Sequence, residues 1–375
     1  MRLSVLRIVP IFLSFFTVLF TGILAKKIFS PTVGIIAASL YAFTPTIVLS
    51  NRLSLTENLL TPVVLITLIL FWANMKNKLI QSIMVGFGSG LALLTKDIGI
   101  VLVLTLLILC IVEKKWRVLI IMSFVSLVAF ITHPAIGYYY DWQLFIRVIS
   151  NYHQEFSSAG PPGLIATIFL HPIIERKGYP FPDGAMLLGY LIFFTSPFWI
   201  KEPKDLNSTV NRLSIFWFKF MNRVSVVFKS KERAFILFPF IYITILALLS
   251  SGSNFSFYGW HVYPLFPFLM ILLAQVLYKF WKQADLLQSL VFFLILGSSS
   301  IRFLVLLNPQ FQKFWQLMLA ILLLFLINNF LPNKYHQKII LFILFVIFLV
   351  TNILVVVNLE KIYPSISQPV DNYSL

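Results

Sequence analysis

A single cysteine, Cys110, occurs in 375 residues, which excludes an intramolecular disulfide and any cysteine cluster for a metal. Charge is scarce too: 11% of residues are Asp, Glu, Lys or Arg, against about 25% in a soluble globular chain. An ordinary soluble enzyme is excluded on that ground. Acidic residues are the scarcest, 13 against 29 basic ones. The five histidines (133, 153, 171, 261 and 336) show no metal-ligand spacing, and no Ser–His–Asp order can be drawn from them. No internal repeat or low-complexity tract is evident.

Apolar side chains fill the space that charge leaves. They make up 59% of the chain, with 39 Phe and a mean hydropathy of +0.92; soluble chains run about 45–50% apolar. Intrinsic disorder is excluded by the same figures. A net charge of +16 would point to nucleic acid in a soluble protein. With no dense basic stripe and this much Phe, it points to lipid, and no nucleic-acid partner is expected.

A membrane helix needs about 20 mostly apolar residues. Runs of that kind, bounded by charge or by Pro and Gly, predict roughly twelve spans. They fall at about 8–25 (A), 31–50 (B), 57–75 (C), 79–95 (D), 98–112 (E) and 117–136 (F), then 185–200 (G), 234–252 (H), 262–280 (I), 286–307 (J), 314–331 (K) and 338–358 (L). Pro45 interrupts B, and glycines thin out D. The predicted fold class is all-α: a polytopic integral membrane protein of about twelve helices with an outer amphipathic loop. Residues 1–136 form an N-terminal helical part, 137–184 the outer loop, and 185–375 a C-terminal helical part with a basic loop at 201–233.

Positive residues gather on the cytoplasmic side of membrane proteins. If A runs from outside to inside, nineteen of the 29 basic residues fall on inner connections with five acidic ones. The outer side keeps ten basic and eight acidic residues, so it is nearly neutral. The predicted setting is the plasma membrane, with the neutral face outside. This orientation leaves Arg2 and Arg7 outside with no preceding helix to deliver them, and the expected cause is a missing upstream helix. Segment A has no small-residue cleavage site before Lys26 and is not read as a signal peptide.

In the outer loop, Trp142, Phe145, Ile146, Ile149 and Phe156 recur at helical spacing, which predicts a helix lying in the interface. The stretch GLIATIFLHPII, after Gly160–Gly163, reads as a second interfacial piece. The basic inner loop reads as a segment resting on anionic headgroups. The glycines of GFGSG, at Gly86–Gly90, follow no strand, so a nucleotide loop fails its context; a small-residue packing face is expected instead. Ser298–Ser300 and Cys110 are read as packing residues.

The informative positions are the charges at the outer ends of the helices, because ionisable groups near hydrocarbon are costly and tend to be functional. Arg52 and Glu57 lie in NRLSLTENLL, Lys96 and Asp97 in ALLTKDIGI, Asp141 after Tyr138–Tyr140, Asp183 in YPFPDGAMLLGY, and His261 in YGWHVYPLFPFL. Arg302 lies inside J near its outer end. Arg302 also fits simple snorkelling, any of the others taken alone also fits a solvated loop charge, and Arg52 and Glu57 either converge on a pocket or merely pair. Carboxylates and cations on one face suit glycosyl transfer from a lipid-phosphate sugar. That reaction needs a carboxylate to take the acceptor proton and fixed positive charge for the departing phosphate. Composition and topology permit this chemistry without establishing it.

Four segments, NRLSLTENLLTP, GSGLALLTKDIGI, GYYYDWQLF with PFPDGAMLLGY, and YGWHVYPLFPFL, resemble the polyprenyl-phosphate-sugar-dependent glycosyltransferases of the GT-C superfamily, of the protein O-mannosyltransferase and aminoarabinose-transferase type. The resemblance covers roughly residues 1–270. It implies a polyprenyl-phosphate-linked sugar as donor, a glycan, lipid or protein as acceptor, and transfer at the outer face, with a divalent metal an open option. Lys96 would contact the lipid phosphate, Arg52 and Glu57 would line the outer cavity and His261 would sit at the donor site; Arg302, beyond the matched stretch, is expected from its position as a further donor-binding cation. Glu57 and Asp141 would be the catalytic carboxylates, the loop holding Asp141 forming a jaw over the cavity. The family's catalytic acid lies in a first outer loop that this sequence does not contain. The resemblance therefore implies an N-terminally short member whose activity as it stands is in question. Competing expectations are a lipid-linked polysaccharide polymerase or ligase, relying on Arg147, His153 and Arg176, a secondary transporter, which would show matched halves, and a non-catalytic membrane scaffold.

Overall fold

The computed structural model describes residues 3–52, 55–147, 173–176, 179–196, 231–250, 259–283 and 334–358, with a few isolated positions between. Its helices are α1 (Leu3–Ile28), α2 (Pro31–Phe43), α3 (Pro45–Asn51), α4 (Glu57–Phe71), α5 (Lys78–Thr95), α6 (Gly99–Val112) and α7 (Trp116–Tyr140). After a hairpin of β1 (Ile173–Arg176) and β2 (Tyr179–Pro182) come α8 (Gly184–Thr195), α9 (Lys231–Ser250), a 3-10 helix at Gly259–Leu265, α10 (Phe266–Gln283) and α11 (Lys334–Val357).

Segments A to I and L each fall on these helices. Among the described residues, four spans are long and apolar enough to cross a membrane: Ile8–Ile28, Lys78–Thr95, Trp116–Tyr140 and His261–Lys279. A fifth is added if α2 and α3 count as one bent span; the remaining apolar helices are shorter. The chain is a multi-pass membrane protein. Segments J and K, Arg302, Ser298–Ser300, His153, and the predicted loops over 148–161, 163–172 and 197–230 lie outside the described residues.

Two elements differ from the sequence reading. The all-α expectation holds apart from the hairpin, where β1 takes over the end of the second predicted interfacial piece. Ile173 stands opposite Pro182 and Arg176 opposite Tyr179. Pro180 and Pro182 are tolerated there because a two-stranded ribbon is all edge. Segment B is not one helix: it bends by 67° between α2 and α3. Pro45 has no N–H to continue α2, and it holds Thr44 in an extended conformation (ψ 118°). Thr44 turns its hydroxyl back onto the Leu40 carbonyl at 2.6 Å.

The basic ends of the helices meet on one side of the bundle. The last carbonyls of α4 are hydrogen-bonded by groups from three other segments. Lys27 Nζ reaches Ile69 O at 3.0 Å, Lys115 Nζ reaches Phe71 O at 3.1 Å, and Gln81 Nε2 reaches the carbonyls of Leu70, Phe71 and Ala73. Cations at a helix C-terminus also oppose its dipole. Lys115 is positioned by the turn that ends α6. Lys114 takes a positive φ of 55°, while Lys115 N donates to Cys110 O and Lys114 N to Ile111 O, which is a Schellman closure with lysine in the place glycine usually takes. The lysines read as a topology signal therefore also close helix ends. Glu57 opens α4 at its other end, about 21 Å away at 1.5 Å per residue.

Glycine faces bring α5 against both neighbours. A methyl group at Gly86 would stand 3.2 Å from Val125 and 3.3 Å from the Met122 backbone; one at Gly90 would stand 3.2 Å from Ala129. Gly88 faces Thr67 of α4. Helix backbones approach this closely only where side chains are absent. Gly86→Leu is expected to destabilise the chain by about 1–3 kcal/mol through overpacking. Thermal unfolding in detergent should show a lower midpoint, and an unchanged midpoint would contradict this packing.

Candidate functional site

The break at Pro45 turns α3 across the end of the bundle, and the chain then re-enters as α4. Glu57 stands in the first turn of α4, where the helix dipole favours a negative charge. Its side chain is 0% exposed and forms an ion pair with Lys96, the residue that closes α5. Lys96 is 19% exposed, so the pair joins a buried carboxylate to an ammonium that still reaches the surface. His261 Nε2 lies 3.7 Å from the same Glu57 oxygen, and the imidazole is buried. Thr56 Oγ1 donates to the other carboxylate oxygen at 3.4 Å.

Tyrosines and amides surround this pair. Tyr263 hydrogen-bonds Ser50, and Tyr242 and Tyr263 both lie within electrostatic reach of Glu57. Tyr41 donates to Asn51 Oδ1 at 3.4 Å, and Asn58 Nδ2 donates to Ser50 O at 3.3 Å. The hydroxyls of Tyr190 and Tyr242 are buried without a hydrogen-bond partner among the described residues. Buried hydroxyls are usually paired, so the two leave spare donors beside a charged cluster. Among the described residues no three His, Cys, Asp or Glu side chains converge on a metal position.

Asp183 fixes the broken segment. Its Oδ1 caps α8 by accepting from Ala185 N at 3.0 Å and Met186 N at 3.3 Å. Its Oδ2 accepts from Thr46 N at 3.1 Å and Thr46 Oγ1 at 2.7 Å, in the first turn of α3. Burial raises this carboxyl above the usual carboxylate range, and the bonds from Thr46 and the cap pull it back. One side chain thus starts one helix and holds another.

Of the residues singled out in the sequence, Glu57, Lys96 and His261 come together. Arg52 closes α3 and is half-buried. Asp97, next to Lys96, is exposed. Asp141 is exposed as well: it ends α7, and its Oδ1 accepts from Leu144 N at 2.9 Å to start the helical residues 142–147. It shares no ion pair or hydrogen bond with Glu57 in the described residues. The start of the predicted jaw folds back on α7, with Phe145 packed on Gly137 and stacked with Trp142 at 5.6 Å.

Thr46, Tyr190, Tyr242 and Tyr263 were missed by the sequence reading. Tyr242 carried a legible signal, a phenol in the apolar run FPFIYITIL that, unlike Thr244, does not reach back to its own helix and needs a partner once buried. Thr46 carried none, because its partner is 137 positions away.

This helical architecture has counterparts among solved structures. Two solved structures share it. ArnT from Cupriavidus metallidurans bound to undecaprenyl phosphate matches at TM-score 0.53 and 13% identity, over 96% of this chain and 64% of that one. The apo state of the same protein matches at TM-score 0.51 and 14% identity, over 92% and 62%. The present chain thus spans less than two thirds of their length. Residues 2–138 match the family described as dolichyl-phosphate-mannose-protein mannosyltransferase. No curated protein matches the sequence. In fold and in its N-terminal sequence, the chain resembles the polyprenyl-phosphate-sugar glycosyltransferases.

Asp183→Asn separates the two duties of this residue. The amide oxygen still caps α8, but the NH2 group now faces two donors of Thr46. The expected loss of stability is about 2–4 kcal/mol, against about 1 kcal/mol for Thr46→Val, which removes one donor. Equal effects in thermal unfolding would contradict the clamp.

Proposed function

We propose that the chain is a membrane glycosyltransferase that moves a sugar from a polyprenyl-phosphate donor to a lipid, glycan or protein acceptor. The observation that carries this reading is the Glu57–Lys96 pair, with one buried partner and one that reaches the surface. A lipid phosphate approaching from the open side meets an ammonium whose position is already fixed. Glu57 holds that position from behind, and His261 Nε2 stands 3.7 Å from the same carboxylate oxygen. The matching family and the undecaprenyl phosphate named with one structural neighbour support a polyprenyl phosphate as the carrier.

In the transfer, an acceptor oxygen attacks the anomeric carbon and the bond from that carbon to the phosphate oxygen breaks. The electron pair stays on the phosphate, where Lys96 stabilises the growing charge. The acceptor proton goes to a carboxylate base. Glu57 has no exposed surface, which suits it to positioning Lys96. Asp141 is exposed at the end of α7, on the side of the bundle where α4 begins, and is our candidate base. Arg52 and Arg302 would add positive charge for the donor. The basic helix ends lie on the opposite side, and the positive-inside bias therefore supports a site at the extracytoplasmic headgroup level.

Lys96→Ala is expected to weaken binding of a polyprenyl-phosphate sugar by about tenfold or more, since a charge-assisted bond contributes about 1.5–3 kcal/mol. It also strands Glu57. The double variant Glu57→Gln/Lys96→Ala should therefore recover stability without recovering donor affinity. Unchanged donor affinity and turnover in both variants would remove the phosphate assignment.

A further inference from the structure

At the basic end of the bundle, on the side away from Glu57, an apolar groove of about 310 Å³ runs between α2, α10 and α11. Thr32 and Ile35 line it from α2, Leu277 and Trp281 from α10, Phe342 and Phe345 from α11. Its mouth lies where α10 ends and where α2 and α11 begin, because Trp281 is near the last residue of α10 and Thr32 is in the first turn of α2. Two lysines stand at that mouth on aromatic rings. Lys338 Nζ is 5.4 Å from the centre of the Trp281 ring, and Lys282 Nζ is 4.6 Å from that of Tyr278. Tyr278 and Trp281 stack on each other at 6.2 Å.

This is an amphiphile's complement. The lining is hydrocarbon, with Ile35 70% and Phe342 63% exposed, and among the described residues the lysines on the aromatic rings put positive charge at one end. Aromatic rings at that level mark the headgroup zone, and an ammonium over a ring face still has N–H donors for a phosphate. The beginnings of α2 and α11 add partial positive charge there, offset in part by the end of α10.

We propose that the groove holds an acyl chain of an anionic phospholipid from the adjoining leaflet, with its phosphate between Lys282 and Lys338. The site is separate from the Lys96 pocket, since the two lie at opposite ends of the bundle. Each lysine near an anionic surface contributes about 1 kcal/mol, which is enough for selection between headgroups.

Bromine on acyl chains quenches nearby tryptophan, so Trp281 can report occupancy as the difference between the wild-type chain and Trp281→Phe. The full chain is reconstituted in phosphatidylcholine vesicles containing rising fractions of brominated phosphatidylglycerol or brominated phosphatidylcholine. Half-quenching is expected at a brominated phosphatidylglycerol fraction about threefold lower or more. Lys282→Gln/Lys338→Gln should merge the two curves, and Lys282→Arg/Lys338→Arg should keep them apart. Lys282 is exposed and Lys338 half-buried, and Gln keeps most of each side chain's length, so the variants are expected to fold, with circular dichroism as the check. Coincident curves for the wild type, or a preference that survives loss of both lysines, would overturn the proposal. So would preferential displacement of the brominated lipid by undecaprenyl phosphate, which would make the groove a donor site.

Discussion

A carboxylate with no exposed surface has to be neutralised or paired, and Glu57 is paired. An ion stranded in a low-dielectric interior costs several kcal/mol even after relaxation, so the pair with Lys96 constrains whatever carries the two residues. Glu57 begins α4 and Lys96 closes α5, so the ends of two antiparallel helices are held together at one membrane face. His261 brings the 3-10 helix before α10 to the same point. Breaking a buried pair by removing one partner costs more than the intact pair contributes over an apolar replacement. The arrangement is therefore better understood as fixing a geometry than as adding stability.

The geometry also depends on a helix that does not cross straight through. Pro45 ends α2, and the 67° bend sends α3 sideways. Broken helices inside membranes need their freed backbone groups satisfied by other parts of the protein. Asp183 does this for Thr46, and Ser50 and Asn58 continue the pattern along α3 and into α4. Tyr263, bonded to Ser50, connects this backbone to the residues around Glu57. One buried network therefore runs from the start of α8 to the start of α4. The opposite face is built from different chemistry: lysines and Gln81 closing the end of α4, then aromatic rings carrying lysines.

Most of the helices were legible because a bilayer leaves few alternatives, and a run of apolar residues between charges defines a helix with little ambiguity. The glycines at 86 and 90 announced close packing, and the alternation of basic connections announced which helix ends lie together. The hairpin at 173–182 was not legible, since its apolar residues fit an interfacial helix as well as a strand. Glu57, Lys96 and His261 stood out individually as charges at helix ends, but the sequence left open whether Glu57 and Arg52 converge on a pocket or merely pair, and it named no ion-pair partner farther off. The partner turned out to be 39 positions away, brought in by the antiparallel course of α4 and α5. Asp183 was legible as a helix start and illegible as a clamp, because the second duty depends on a bend in another helix.

The separation of the two faces gives the account a simple form. Lysines on one side hold helix ends and aromatic rings, the proposed place for lipid headgroups, while on the other side the Lys96 ammonium is oriented by a buried carboxylate, its proposed ligand being a phosphate. The direct test is ³¹P NMR of undecaprenyl phosphate added to the reconstituted chain and to its Lys96→Gln variant. If the ammonium touches the phosphate, the wild-type resonance shifts, and the phosphate titrates below its ordinary second pKa of about 6; both effects vanish in the variant. Identical spectra and titrations for the two proteins would contradict the account.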